Sequence, residues 1–152
     1  MTTHILSMTY GPKIEAVKRG EVARTIRRYN PKKPKKVGDR LLIHTWAGKP
    51  YRSKWGWRMT TEVIDKTILH FPMRWMAYPQ LLFNGGTDYV ETDEIGLANI
   101  ALLDGIPQQS TPTLTAELLC RTLRELNGLV ELGLMGSTWE IIDWPRANQV
   151  VK

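Results

Sequence analysis

Val37-Gly38-Asp39-Arg40-Leu41-Leu42-Ile43-His44-Thr45-Trp46, residues 37–46, reads as a glycine turn opening into an unbroken apolar strand. Ahead of it, residues 30–36 hold two prolines and four lysines, Lys32, Lys33, Lys35 and Lys36. That composition neither extends a sheet nor buries itself, so an exposed loop is expected. Residues 22–29 alternate as a basic strand, with Val22, Arg24, Ile26 and Arg28 on one face and Ala23, Thr25, Arg27 and Tyr29 on the other. Behind the apolar strand, residues 47–56 form a loop with Gly48, Pro50 and Gly56, and residues 57–70 read as one long strand. Residues 5–10 form a first strand, and residues 12–19 a short helix closed by Gly20. Asp93 caps a helix running to about Leu103, with Ile95, Ala98 and Leu102 on one face. Thr111-Pro112 starts another, which carries Leu114, Leu118, Leu119 and Leu123 to Gly128. Residues 137–144 are the last strand, with Trp139 and Trp144 as core residues. Strands joined by short connections beside a separate helical block predict one α+β domain over 1–152, a mostly antiparallel, partly closed pseudo-barrel flanked by helices.

Charge is unevenly spread. The first 58 residues carry 15 Lys and Arg against Glu15, Glu21 and Asp39, while the other 94 carry six bases and 12 acids. A concentrated positive field attracts polyanions. Tyr29, Trp46, Tyr51, Trp55 and Trp57 lie among those bases, and rings beside cations are what a single-stranded nucleic acid surface requires. Trp55 and Trp57 project to one side of an extended chain, with Lys54 and Arg58 alongside and Arg52 nearby. Equally, a solvated basic face with some rings turned inward accounts for the same composition.

The single cysteine, Cys120, lies in an apolar helical pattern and reads as a buried structural thiol in a reducing, cytoplasmic setting. No apolar run approaches the roughly 20 residues of a membrane span, and no signal peptide pattern opens the chain. His4, His44 and His70 are isolated, so no metal or other cofactor is expected. No P-loop or nucleophile-elbow pattern occurs. A monomer or weak homodimer is expected.

Several short motifs fall in a familiar order. The helix 12–19, Gly20 followed by Thr25 and Arg27, Val37-Gly38-Asp39 opening an apolar strand, Ala101-Leu102-Leu103-Asp104-Gly105-Ile106, and Trp139-Glu140-Ile141-Ile142 together resemble the ASCH domain of the PUA-like superfamily. Only about residues 71–93 fall outside the resemblance, as an insertion. It implies a cleft between barrel and helices and a role in RNA metabolism. The family's G-x-K-x-x-[TE]-x-R segment would place its threonine on Thr25, its arginine on Arg27 and its lysine on Val22, with the helix-terminal carboxylate on Asp104. Some members resemble amidohydrolases of acylated cytidine that use a lysine; others are nucleases or binding modules. Valine neither moves a proton nor stabilises negative charge, so the departure at Val22 bears directly on catalysis.

The expected function is therefore RNA or single-stranded nucleic acid binding. The backbone would run along Arg28, Lys32, Lys33, Lys35, Lys36 and Lys54, Arg24 would add a nearby cation, and a base would enter a cleft at Thr25, Arg27 and Asp104. The alternative is a hydrolase of modified nucleosides, or a ribonuclease, with Thr25 and Asp104 as catalytic groups. For Arg27 the structural alternative is an ion pair with Asp39 or Asp104. A third reading has the acidic second half or the segment 71–83 docking a partner protein or a second copy of the chain.

Overall fold

The computed structural model describes residues 1–9, 11–73, 79–127 and 134–146. Eight strands, β1 (Thr3–Met8), β2 (Arg24–Arg28), β3 (Arg40–Trp46), β4 (Trp55–Glu62), β5 (Asp65–His70), β6 (Gln80–Phe83), β7 (Val90–Glu91) and β8 (Thr138–Asp143), combine with three helices. The helices are α1 (Gly11–Lys18), α2 (Glu94–Leu103) and α3 (Pro112–Leu126). The class is α+β, as expected. The barrel is not closed: the strands form a three-stranded sheet, β1-β3-β4, and a five-stranded sheet, β2-β8-β5-β6-β7.

The long strand expected over 57–70 is in fact two strands in different sheets. Its apolar middle, Val63-Ile64, is where the chain crosses over: Val63 exchanges backbone hydrogen bonds with the Gly38–Asp39 turn, and the Ile64 N–H bonds the Asp143 carbonyl. Val63 is therefore fully buried for a connection rather than for a ladder. Pairing is antiparallel except between β1 and β3, which run parallel with Thr3 opposite Arg40 and Met8 opposite Thr45.

Two cores follow from the alternation of the five-stranded sheet. One face presents Ile26, Leu69, Trp139 and Ile141 to Leu97, Ala101, Leu119 and Leu123 of α2 and α3. The other presents Ile142 to Leu41 and Ile43 of the three-stranded sheet, with Val17 of α1 and Trp144 at the margin. Both cores surround β8, so nearly the whole strand is buried, and Trp139 and Trp144 are core residues as expected. Cys120 is half-buried against the helical core, and burial pushes its thiol up to about 11.

The helix ends obey the sequence. The Asp93 side chain accepts the Gly96 N–H at 2.9 Å, and Thr111 accepts that of Leu114 with Pro112 following it. The buried stripe of α2 is rotated from the expected one, however. Leu97, Ala98, Ile100 and Ala101 face inward, while Ile95 and Leu102 are exposed. Residues 80–91, within the segment read as an insertion, extend the five-stranded sheet through β6 and β7. Trp75, Met76 and Tyr78, considered for partner docking, lie outside the described residues. No described helix is long and apolar enough to cross a membrane.

Candidate functional site

The order of elements brings the start of β2, the end of β1, the first turn of α1 and the end of α2 to one place. There a cavity of about 120 Å³ is lined by Lys13, Thr25, Arg27 and Asp104, with Leu119 and Leu123 of α3 as its apolar wall. Thr25, Arg27 and Asp104, the three candidates that the sequence offers for a cleft, thus share one concavity. The lysine beside them is not among the sequence candidates. Lys13 comes from α1, where it precedes the buried Val17 by four residues and so lies on the helix stripe that faces the core.

Lys13 donates to Asp104 in a buried ion pair. Asp104 sits at the C-terminal end of α2, where exposed carbonyls repel an anion, and Gly105 follows in the left-handed region at φ +85°. A β-carbon on Gly105 would meet Val22 Cγ2 at 3.2 Å and Lys13 Cγ at 3.6 Å. Val22 and Lys13 therefore pack side by side on this turn, and Lys13 places an ammonium where Val22 supplies none. Burial lowers the Lys13 pKa against the pull of Asp104, and Arg27 and Arg24 push it the same way. Burial raises that of Asp104 against Lys13, Arg24 and Arg27. Each shift is towards the neutral form of its own group.

Arg27 is half-buried at the same site. Its Nε donates to Thr25 Oγ1 at 3.2 Å and its Nη2 to the Ser7 carbonyl. It therefore pairs with neither Asp39 nor Asp104 directly. Because Thr25 Oγ1 accepts from Arg27, its own proton is left to donate elsewhere. The Tyr51 phenol, in the β3–β4 loop, lies within electrostatic range of Arg27. Tyr51 is 82% exposed, has φ +62°, and its ring centroid is 5.2 Å from that of Trp46. Trp46 in turn meets His44 edge-on, and His44 stacks on Trp55 at 4.0 Å. The buried Trp46 indole N–H has no acceptor among the described residues.

The remaining basic residues do not form one track. Lys35, expected on an exposed loop, is buried: its ammonium lies 3.8 Å from Glu140, a wholly buried acid of β8 that also has Lys66 at 3.7 Å. A buried carboxylate must be compensated, and Lys35 is drawn inward to do it. Arg24 forks onto Asp143 through Nε and Nη2. Trp57 is half-buried against the inter-sheet core, with the Lys18 ammonium 6.0 Å from its ring, while Arg58 points from the opposite face of β4. Arg28 is exposed with its guanidinium 5.7 Å from the Trp139 ring. Lys32, Lys33 and Lys36 remain exposed at one end of β3, and Lys49, Arg52 and Lys54 at the other. At about 3.3 Å per residue, the length of β3 sets these groups roughly 20 Å apart. Only the second lies at the end of β3 that pairs with Ser7 and Met8 of the cavity lining.

No family model, curated protein or solved structure matches this chain. Function must be read from the site itself.

Proposed function

We propose that this chain is a PUA-like, ASCH-type protein that binds RNA or another single-stranded nucleic acid, taking one nucleotide unit at the Lys13–Thr25–Arg27–Asp104 cavity. The observation that carries the reading is the convergence of these four side chains on one cavity, with the exposed Tyr51 in electrostatic range of Arg27. The cavity supplies fixed polar groups, the ring supplies a sequence-tolerant stacking surface, and Lys49, Arg52 and Lys54 supply charge for neighbouring phosphates. Fluorescence polarisation with labelled single-stranded RNA tests it. Affinity should fall as salt rises and fall again in Thr25→Ala. Absent or salt-insensitive binding would remove the proposal.

A second reading, hydrolysis of a modified nucleoside, gains one specific support. Lys13, Thr25 and Asp104 together make the lysine, threonine and carboxylate set that the ASCH resemblance associates with amide cleavage, the lysine coming from α1 instead of the strand. In that chemistry, Lys13 passes its proton to Asp104 and, as a neutral amine, accepts one from the attacking water. Thr25 and Arg27 face the oxygen on which negative charge develops, and the leaving amine takes the proton as the C–N bond breaks. Incubation with acylated cytidine separates the readings: turnover lost in both Lys13→Met and Asp104→Asn selects the enzyme.

A further inference from the structure

Arg27 is a half-buried cation on the cavity wall whose hydrogen-bond acceptors among the described residues, Thr25 Oγ1 and the Ser7 carbonyl, are both neutral. The neighbouring charges have opposite partners within 4 Å: Lys13 has Asp104, and Lys35 and Lys66 flank Glu140. A guanidinium whose direct acceptors are all neutral keeps its remaining donors open to an anion, to which its planar fork is suited. Two of its five N–H groups are used; the others have no acceptor among the described residues.

The sum of formal charges points the same way. Around the cavity, Lys13 and Arg27 stand against Asp104, a surplus of one positive charge. On the same face of the five-stranded sheet, where Arg27 is paired in register with Glu140, Lys35 and Lys66 leave a second positive surplus. The hydrogen-bonding groups are equally one-sided. Thr25 has its hydroxyl proton to give, Lys13 has two more after serving Asp104, and Arg27 has three. Against these stands the carboxylate of Asp104, already engaged. A nucleobase edge is neutral and alternates donors with acceptors, whereas an oxyanion carries only acceptors and a charge.

We infer that the group entering this cavity is a phosphate, held by the fork of Arg27 with Lys13 and Thr25, and that the attached base stays outside against Tyr51. The size agrees, since about 120 Å³ admits a phosphate or a single ring but not a nucleotide. This inference rests on the nucleic-acid reading of the cavity and specifies which end of the nucleotide it takes.

Calorimetry at constant ionic strength tests it with adenosine and uridine, their 5′-monophosphates, inorganic phosphate, and a short RNA with and without a 5′-phosphate. The monophosphates should bind at least tenfold more tightly than the nucleosides. Arg27→Met should abolish that difference and remove the thermal stabilisation that phosphate gives the unaltered protein. Arg27→Lys, which keeps the charge and loses the fork, should retain part of it and guards against a folding artefact in Arg27→Met. The two RNA forms distinguish a strand terminus from a free mononucleotide as the natural source. Equal affinity for nucleosides and monophosphates overturns the phosphate assignment and leaves the nucleotide reading standing. Failure of every probe to bind overturns both.

Discussion

Lys13 and Asp104, separated by 91 positions in the chain, form a buried ion pair that ties the first turn of α1 to the end of α2. The pair closes the floor of the cavity and offsets the unfavourable position of an acid at a helix C-terminus. Removing one partner of such a pair costs about 3–5 kcal/mol, because the survivor stays buried without compensation. Lys13→Met should therefore lower stability in urea denaturation by about that amount. Asp104→Asn should also destabilise, because it leaves Lys13 facing Arg27. The double variant Lys13→Met/Asp104→Leu, which removes both charges, should recover most of the loss. A single-variant loss below about 1 kcal/mol would mean the two groups are not paired in solution.

Tyr51 gives a prediction in which folding and binding part company. Its ring is almost wholly exposed, so removing it deletes little packing, while its left-handed backbone is one that side chains adopt at a cost. Tyr51→Gly relieves about 1–2 kcal/mol of that strain and loosens the unfolded chain by about 0.4–1 kcal/mol. Stability should thus change little. Binding of single-stranded RNA should weaken by about 1–3 kcal/mol through the missing stack. Unaltered affinity would place the nucleic acid away from the β3–β4 loop.

The framework is largely legible in the sequence because it depends on local signals. The Arg40–Trp46 strand, the caps at Asp93 and Thr111 and the glycine after Asp104 are each set by residues within a few positions. The crossing at Val63-Ile64 is not, since an apolar pair inside a β-rich run looks the same whether it continues a ladder or passes between sheets. At the site, Thr25, Arg27 and Asp104 stand out from the sequence and Lys13 does not, because the strand position at Val22 draws attention from a lysine whose spacing from Val17 already sets it on the inward stripe. Lys35 is misplaced for the opposite reason. Its loop composition predicts exposure, and only the burial of Glu140, an acid amid Trp139, Ile141 and Ile142, explains why one of four lysines turns inward.

The separation of the exposed cations into two groups predicts a dependence on ligand length. The triple change Lys49→Glu, Arg52→Glu and Lys54→Glu, at the cavity end of β3, should weaken a trinucleotide as well as a decanucleotide. Lys32→Glu, Lys33→Glu and Lys36→Glu, roughly 20 Å away along β3, should affect the decanucleotide alone. Every phosphate that a variant no longer neutralises reduces the slope of log affinity against log salt by about 0.7 for a single strand, so three such phosphates lower it by about 2. Equal effects of both triples on the trinucleotide would contradict the two-group geometry.

Acid stability should centre on Asp39, which holds the turn opening β3. Burial alone would raise its pKa, but the His4 ring nitrogen at 2.8 Å, the backbone N–H groups of Thr2 and Lys36, and the His4 charge outweigh that and hold it at about 2. The folded value lies below the ordinary carboxylate value of 3.8, so the unfolded chain takes up the proton first as pH falls. The stabilisation is complete above about pH 4 and is lost as pH descends through the folded value near 2. A shift of this size corresponds to about 2 kcal/mol. Asp39→Asn should lose a comparable amount at pH 7 and flatten the stability profile between pH 4 and pH 2, as measured by urea midpoints across that window. A variant whose profile stays parallel to that of the unaltered protein would assign the acid transition to other carboxylates.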